Sequence, residues 1–172
     1  MKTLILYCSK TGFTQQYAQW LQEKLQCDCI PFSQRNSADF SQYQTVVFGS
    51  GCYIGKIRKL DWFKKQLPRL RGKRLAVFFT GAMPPDPSDI HRLERENFSP
   101  EELRLIKTFY LQGGLNYEKM CLKDKFLMAG FRGMLKARAN SSKEKIMLQN
   151  IQQSFDKTSR ENLLPLLDYL SQ

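Results

Sequence analysis

Short apolar runs alternate along this chain with stretches of helical periodicity. The runs TLILY, TVVFG and RLAVFFT (residues 3–7, 45–49 and 74–80) are apolar almost throughout, as expected for strands buried on both faces of a sheet. Between these runs, apolar residues recur at helical spacing in residues 14–26 and 60–70. This alternation predicts an α/β fold with a doubly wound, open parallel sheet and helices on both faces.

The remaining segments extend the same pattern. Short strands are predicted at residues 29–32 and 108–111, which makes five strands in all. Ser99 followed by proline and two glutamates predicts a capped helix start. A long loop is expected from the PPDP stretch onwards, and further helices are expected at residues 126–137, 146–155 and 160–170. With 172 residues and no linker, the chain is expected to form one domain, 1–172.

The carboxyl ends of the predicted strands carry glycine-containing loops. Their sequences are SKTGFT, GSGCYIG, TGAMPP and QGGLNY. In open parallel sheets, ligands bind beyond the carboxyl ends of the strands. We therefore expect the four loops to converge on one site.

The loop SKTGFT has the features of an anion site. It joins a strand to a helix, so that backbone N–H groups at the helix start point at one spot and favour a phosphate. Ser9, Thr11 and Thr14 add hydroxyl donors, and Gly12 allows close approach of the backbone. Neither GxxxxGK[ST] nor GxGxxG occurs, which argues against a nucleoside triphosphatase and a dinucleotide fold. A single phosphate monoester fits better.

The same six residues match the [ST]-x-T-G-x-T loop of the flavodoxins, which this chain resembles over its length. The resemblance implies FMN as cofactor and sheet order 2-1-3-4-5. It implies contacts to the FMN phosphate from Ser9, Lys10, Thr11, Gly12, Phe13 and Thr14. It implies that the isoalloxazine ring lies between the loop Ser50, Gly51, Cys52, Tyr53, Ile54 and Gly55 and the loop Thr80, Gly81, Ala82 and Met83. Gly113, Gly114 and Tyr117 of the last loop complete the expected cofactor contacts.

A closer similarity concerns flavodoxin-like proteins related to quinone-linked protoporphyrinogen dehydrogenases. It depends on the MKTLIL start, the GGLNY segment and a DKF motif within a basic insert at about residues 117–145. It implies an oxidoreductase that takes hydride from protoporphyrinogen or a similar substrate, with a quinone or a redox protein as partner. The alternative is a flavodoxin-type electron carrier between protein partners. The basic charge, the insert and the lack of aromatic residues in 80–91 favour the enzyme.

The formal net charge of +11 is unevenly distributed. Residues 56–74 contain nine lysines and arginines and one acid, and residues 119–145 hold a second basic excess. Such fields attract anionic membranes or acidic partners, although a solvated surface is the simpler alternative. Within the insert, an apolar helical face predicts peripheral membrane contact, unless that face packs on the sheet. The face consists of Leu127, Phe131, Met134 and Leu135, flanked by Lys125, Arg132, Lys136 and Arg138.

Other residue types predict less. Trp62 and Phe63 have the spacing of core residues, so nucleic acid binding is not expected. Five cysteines, an odd number, favour free thiols in a reducing compartment, and no metal site is predicted. Cys8 and Cys52 are expected to be packing residues and His91 to be solvated. No catalytic side chain is predicted, since the cofactor itself would accept the hydride. We expect a cytoplasmic protein, with peripheral contact at the inner face of the membrane.

Overall fold

The computed structural model describes residues 2–138, 145, 148–149 and 151–171. Its main sheet is parallel, with strand order β2-β1-β3-β5-β6, and the short β4 pairs with β3. This confirms the predicted fold and the order 2-1-3-4-5 of the five long strands. The strands are β1 (Thr3–Cys8), β2 (Asp28–Pro31), β3 (Thr45–Tyr53), β4 (Lys56–Ile57), β5 (Arg74–Gly81), β6 (Ile106–Gln112), β7 (Gly114–Leu115) and β8 (Phe155–Asp156).

Helices cover both faces of the sheet. They are α1 (Phe13–Leu25), α2 (Leu60–Lys64), α3 (Pro87–Asn97), α4 (Pro100–Leu105), α5 (Leu122–Arg138) and α6 (Leu164–Ser171). One core includes Phe48 and Phe79 and packs under α2, α3 and α4. The opposite core includes Val47 and Phe78 and packs under α1 and α6. Successive strand residues therefore enter opposite cores, which is why the strands are apolar without a break.

Two helix predictions and one loop prediction need correction. The predicted helix 60–70 is two shorter pieces, because α2 ends at Lys64 and a 3-10 helix (Leu67–Leu70) contains Pro68, which has no N–H to donate. Similarly, the predicted helix 160–170 begins as a 3-10 helix (Arg160–Leu163) before α6. The predicted long loop after residue 83 is mostly α3, which starts where Asp86 accepts hydrogen bonds from the amides of Ser88 and Asp89.

The capped helix start at Ser99 is confirmed. The Ser99 hydroxyl accepts a hydrogen bond from the Glu102 amide, and the Glu102 carboxylate accepts one from the Ser99 amide. This reciprocal arrangement satisfies two N–H groups that have no partner within the helix. The helix itself, α4, leads directly into strand β6.

The insert forms a small unit beside the carboxyl edge of the sheet. The predicted helix 126–137 lies within α5, and β7 pairs with β8 in antiparallel fashion. Leu135 of α5 packs with Leu115 and Ile151 in a cluster separate from the two main cores. Of the predicted helix 146–155, residues 146, 147 and 150 lie outside the described residues, and Phe155 belongs to β8. Among the described residues, no helix combines the length and apolarity needed to cross a bilayer.

Candidate cofactor site

A cavity of about 1150 Å³ opens at the carboxyl edge of the sheet. Residues of all four predicted loops line it, including Thr11, Gly51, Thr80 and Gly113. Helices α3 and α5 supply its outer walls. The predicted convergence of the loops is therefore confirmed, and we refer to this space as the rim cavity.

The SKTGFT loop has the geometry of an anion-binding turn. Gly12 directly precedes α1 and has φ 106°, a backbone conformation that residues other than glycine rarely adopt. The Ser9 hydroxyl accepts a hydrogen bond from the Gly12 amide over 3.2 Å and so shapes the turn. No acidic residue lies in the first turn of α1, so its N–H groups present unopposed positive potential to a phosphate.

Two threonine hydroxyls form the floor of the rim cavity. Thr14 Oγ1 and Thr80 Oγ1 lie 2.8 Å apart, and both side chains are almost completely buried. Because one hydroxyl donates to the other, the pair keeps one O–H for a ligand. A Cβ at Gly51 would stand 3.8 Å from both oxygens, so the second loop also contacts this floor. The floor thus joins three of the predicted loops.

The second loop is a tight turn between β3 and β4. Ile54 and Gly55 both have positive φ, and Asn97 of α3 holds the turn by donating to the Gly55 carbonyl over 2.7 Å. Tyr53, 36% exposed, lines the rim cavity. Ser50 does not line it, because its buried hydroxyl donates to the Arg58 carbonyl over 2.7 Å. Ser50 is therefore better explained as part of the scaffold than as a cofactor contact.

Both cysteines beside these loops line the rim cavity. Cys52 also packs against the core formed around Phe48, as predicted, and burial raises the pKa of its thiol. A thiol with a raised pKa is protonated at neutral pH and a poor nucleophile. Cys8 ends β1 and lines the rim cavity next to Lys10.

The third and fourth loops are tied to each other. The Gly113 amide donates to the Gly81 carbonyl over 2.8 Å. Tyr110 donates its hydroxyl to the Met83 carbonyl over 2.5 Å, which fixes the start of the third loop. Ala82 and Met83 line the rim cavity together with Gly81, Gly113 and Gly114. The structure therefore brings these residues together at the rim cavity.

Tyr117 is a correction, because it does not reach the rim cavity. Its hydroxyl donates to the Ile151 carbonyl over 2.5 Å, and the Arg132 guanidinium lies over its ring. Tyr117 therefore stabilises the insert cluster around Leu115 and Leu135. Phe13, by contrast, lines the rim cavity and packs closely against Gly113 and Gly114.

The insert contributes residues that sequence reasoning missed. Asp124, near the start of α5, is only 6% exposed; it binds Lys10 of the first loop and accepts a hydrogen bond from the Tyr53 hydroxyl over 3.0 Å. The ammonium group of Lys10 lowers the pKa of the Asp124 carboxyl, which is therefore ionised at neutral pH. The DKF motif of the sequence contains Asp124, but the resemblance that it supports implies no role for this carboxylate.

Several lysines that contribute to the net positive charge are already engaged in contacts within the protein. Lys64 pairs with Glu102 over 2.6 Å, Lys56 donates to the Glu96 carbonyl and Lys73 to the Tyr43 carbonyl. These contacts are structural. His91 is exposed on α3 and pairs with Glu94 over 3.0 Å, so the prediction of a solvated position is confirmed.

The chain forms an open parallel sheet with an anion-binding turn after its first strand. A cavity lies beyond the carboxyl edge of this sheet. These features together define the flavodoxin-like class of α/β proteins. The family model described as "Flavodoxin domain" matches residues 4–142. The chain therefore belongs to the flavodoxin-domain family. This membership confirms the flavodoxin-like prediction and supports FMN as the cofactor of the rim cavity.

Solved structures similar to the chain are distant. A flavoprotein in complex with FMN from Lactobacillus acidophilus has 17% identity and a TM-score of 0.46, over 64% of this chain and 91% of that chain. A flavodoxin, WrbA-like protein from Agrobacterium tumefaciens has 14% identity and a TM-score of 0.44, over 72% and 87%. The Trp repressor binding protein of Bacillus subtilis has 14% identity and a TM-score of 0.46, over 65% and 83%. No curated protein matches the chain significantly.

Proposed function

We propose that this flavodoxin-domain protein uses FMN to oxidise a flat, reduced organic substrate, with protoporphyrinogen as the specific candidate. The observation that carries this proposal is the size of the rim cavity. Pockets for one small ligand enclose about 300–1000 Å³, whereas this cavity measures about 1150 Å³. We infer room for a second flat molecule beside the cofactor.

The parts of the cavity wall that the two helices α3 and α5 form, outside the four loops, suit such a substrate. Met128, Phe131 and Met134 of α5 face this space together with Ile90 and Leu93 of α3. Methionine and aromatic side chains adapt to large apolar surfaces. These walls support a macrocyclic substrate and, equally, an apolar acceptor such as a quinone ring.

Cations at the same cavity support a substrate with carboxylate groups. Arg58 and Arg92 both contribute to its lining. Arg92 is paired with Asp89 over 2.8 Å, so Arg58 is the better candidate for an anionic substituent. Guanidinium groups bind carboxylates through paired hydrogen bonds.

The chain's own residues have a limited chemical task in this proposal. When bound, FMN would supply the acceptor for the hydride. The SKTGFT loop would hold the phosphate, the floor of Thr14 and Thr80 would support the cofactor, and α5 would exclude water from the ring. Substrate orientation would depend on the apolar walls.

Anaerobic mixing of the FMN-loaded protein with protoporphyrinogen tests the substrate. Because conversion of a porphyrinogen to a porphyrin releases more electrons than the two that one FMN accepts, the FMN-loaded protein is used in molar excess over the substrate. We then expect loss of flavin absorbance, followed by growth of porphyrin fluorescence as further FMN-loaded molecules complete the oxidation. Arg58→Ala should raise the substrate concentration needed for half-maximal rate, while Arg71→Ala, an exposed arginine outside the cavity lining, should leave it unchanged.

The alternative, an electron carrier between proteins, predicts the reverse result. A carrier would be reduced readily by a flavodoxin reductase and would not react with protoporphyrinogen. That pair of results would reject the dehydrogenase proposal and favour the carrier.

Peripheral contact with an anionic membrane is a second part of the proposal. The apolar face predicted from the sequence does not provide this contact, because Leu135 is buried and Phe131 packs in the same cluster. Leu127 and Met134 line the rim cavity.

The most exposed large apolar residues of α5 are instead Leu122 and Phe126, at 74% and 77%, with exposed Lys123 and Lys125 beside them. Apolar side chains flanked by lysines are typical of helices that lie in the membrane interface. Such a position would bring the rim cavity close to a membrane-dissolved quinone.

Sedimentation with anionic liposomes tests this contact. We expect binding at low salt that weakens at high salt, because lysines are attracted to acidic headgroups. Leu122→Ser should reduce binding, whereas Leu105→Ser, at another exposed leucine, on α4, should not. Absence of binding at both salt concentrations would contradict the membrane proposal.

A further inference from the structure

One carboxylate connects three segments that are distant in sequence. Asp124 of the insert is nearly buried; its Oδ2 atom binds Lys10 Nζ, and its Oδ1 atom accepts from the Tyr53 hydroxyl over 3.0 Å. Lys10 belongs to the anion-binding turn, and Tyr53 belongs to the second loop. We refer to these three side chains as the latch.

Lys10 is arranged to serve the insert and an anion at the same time. Its ammonium group has three N–H donors. Asp124 accepts one of them, and Cys121 Sγ lies 3.4 Å away as a second acceptor, also in the insert. The Asp124 hydrogen bond raises the pKa of Lys10, which is therefore charged at neutral pH. Its remaining donor is available to a phosphate at the adjacent turn.

The insert also brings a second lysine to the turn. A Cβ at Gly12 would lie 3.5 Å from Lys119 Nζ, so this ammonium group stands beside the anion-binding turn. Lys10 and Lys119 together exceed the single negative charge of Asp124. The insert therefore adds net positive potential where the SKTGFT turn already favours an anion.

We propose that the insert is part of the cofactor site and that Asp124 is a positioning residue for FMN. It fixes Lys10 and Tyr53, holds α5 over the rim cavity, and makes docking of the insert and binding of the phosphate mutually dependent. By linkage, a phosphate that strengthens insert docking is itself held more tightly by the docked insert. The proposal rests on FMN as cofactor and does not depend on the substrate.

Asp124→Asn provides the test, because it removes the charge for Lys10 and keeps an oxygen for Tyr53. The lost bond joins two protein side chains, so FMN loses only the coupling between insert docking and phosphate binding, and such couplings are typically about 5–150-fold. We expect the variant to release FMN about tenfold faster, measured by the recovery of free-flavin fluorescence after dilution. Glu118→Gln is the control, since it removes an exposed carboxylate from the same insert.

Limited proteolysis gives a second readout that is independent of activity. In the wild-type protein, FMN should protect the insert from cleavage, whereas riboflavin, which lacks the phosphate, should protect it much less. In the Asp124→Asn variant, this difference in protection between FMN and riboflavin should disappear. Tyr53→Phe, at a partly exposed side chain, removes only the hydroxyl that donates to Asp124. This variant should also release FMN faster and lose protection from proteolysis, but by smaller amounts than Asp124→Asn.

The outcomes separate this proposal from the cofactor assignment. A wild-type protein that binds no FMN would reject the cofactor. A wild-type protein that binds FMN, with Asp124→Asn and Tyr53→Phe releasing it as slowly as Glu118→Gln, would reject the latch alone. Tighter FMN binding by Asp124→Asn would also reject it, because Asp124 would then repel the phosphate.

Discussion

Replacing Thr11 and Thr14 together with alanine is expected to weaken FMN binding by about a hundredfold or more. Each threonine is expected to donate a hydrogen bond to the phosphate, and a hydrogen bond to a charged group contributes about 1.5–3 kcal/mol, where each 1.4 kcal/mol is about tenfold in affinity. Thr11 lines the rim cavity, and Thr14 shares its hydroxyl with Thr80. Titration of the apoprotein, followed by flavin fluorescence, measures the change.

Riboflavin separates a phosphate effect from a folding defect. Because riboflavin has the ring but no phosphate, its affinity should change much less than that of FMN in the double variant. Thr158→Ala, at a threonine outside the rim cavity lining, should bind both flavins as the wild type does. Equal losses for the two flavins would contradict the role of the turn in phosphate binding, as would an unchanged affinity for FMN.

The sheet and the anion-binding turn were predictable because their signals are local. A strand buried on both faces is apolar at every position, so β1, β3 and β5 are recognisable without knowledge of their partners. The turn before α1 requires a glycine at φ 106° and small hydroxyl residues around it, and these requirements are written in six consecutive residues. Strand order then followed from the resemblance to flavodoxins.

The latch was not predictable, because its partners are distant in the sequence. Lys10 and Asp124 are 114 positions apart, and no local pattern relates them. Tyr117 illustrates the opposite error, because the sequence predicted it as a cofactor contact and the structure places it elsewhere. It follows the glycine pair of the fourth loop at the carboxyl edge of the sheet, but its hydroxyl donates to the Ile151 carbonyl, which lies beyond the insert in the sequence. The direction of a side chain depends on such long-range partners.

The error at α3 had a local remedy. The three prolines of PPDP were interpreted as loop residues, yet aspartate followed by proline is also a helix start, with Asp86 as the cap and Pro87 in the first turn. That helix matters for the site, because Ile90 and Leu93 form part of the rim cavity and Asn97 holds the second loop. The error arose because proline is common both in loops and in the first turn of helices, although the sequence did contain the signal for a helix start.

The largest expected loss of stability comes from Gly49, at the centre of the sheet. Gly49 of β3 lies opposite Phe78 of β5, and a Cβ at this glycine would stand 2.1 Å from Phe78 Cζ. The Phe78 ring is completely buried between the sheet and α1, so it has no open space to enter. Gly49→Val is therefore expected to lower the free energy of unfolding by about 3 kcal/mol or more.

Thermal unfolding of the apoprotein measures this loss, and a second glycine provides the control. A Cβ at Gly133 of α5 would have no neighbouring atom within 4 Å, so Gly133→Ala should leave stability unchanged or raise it by about 0.5–1 kcal/mol, since alanine favours helix. Phe78→Leu shortens the obstructing side chain, and combined with Gly49→Val it should cost less than the sum of the two single losses. Strict additivity, or a Gly49→Val protein as stable as the wild type, would show that the ring of Phe78 does not occupy the space above Gly49.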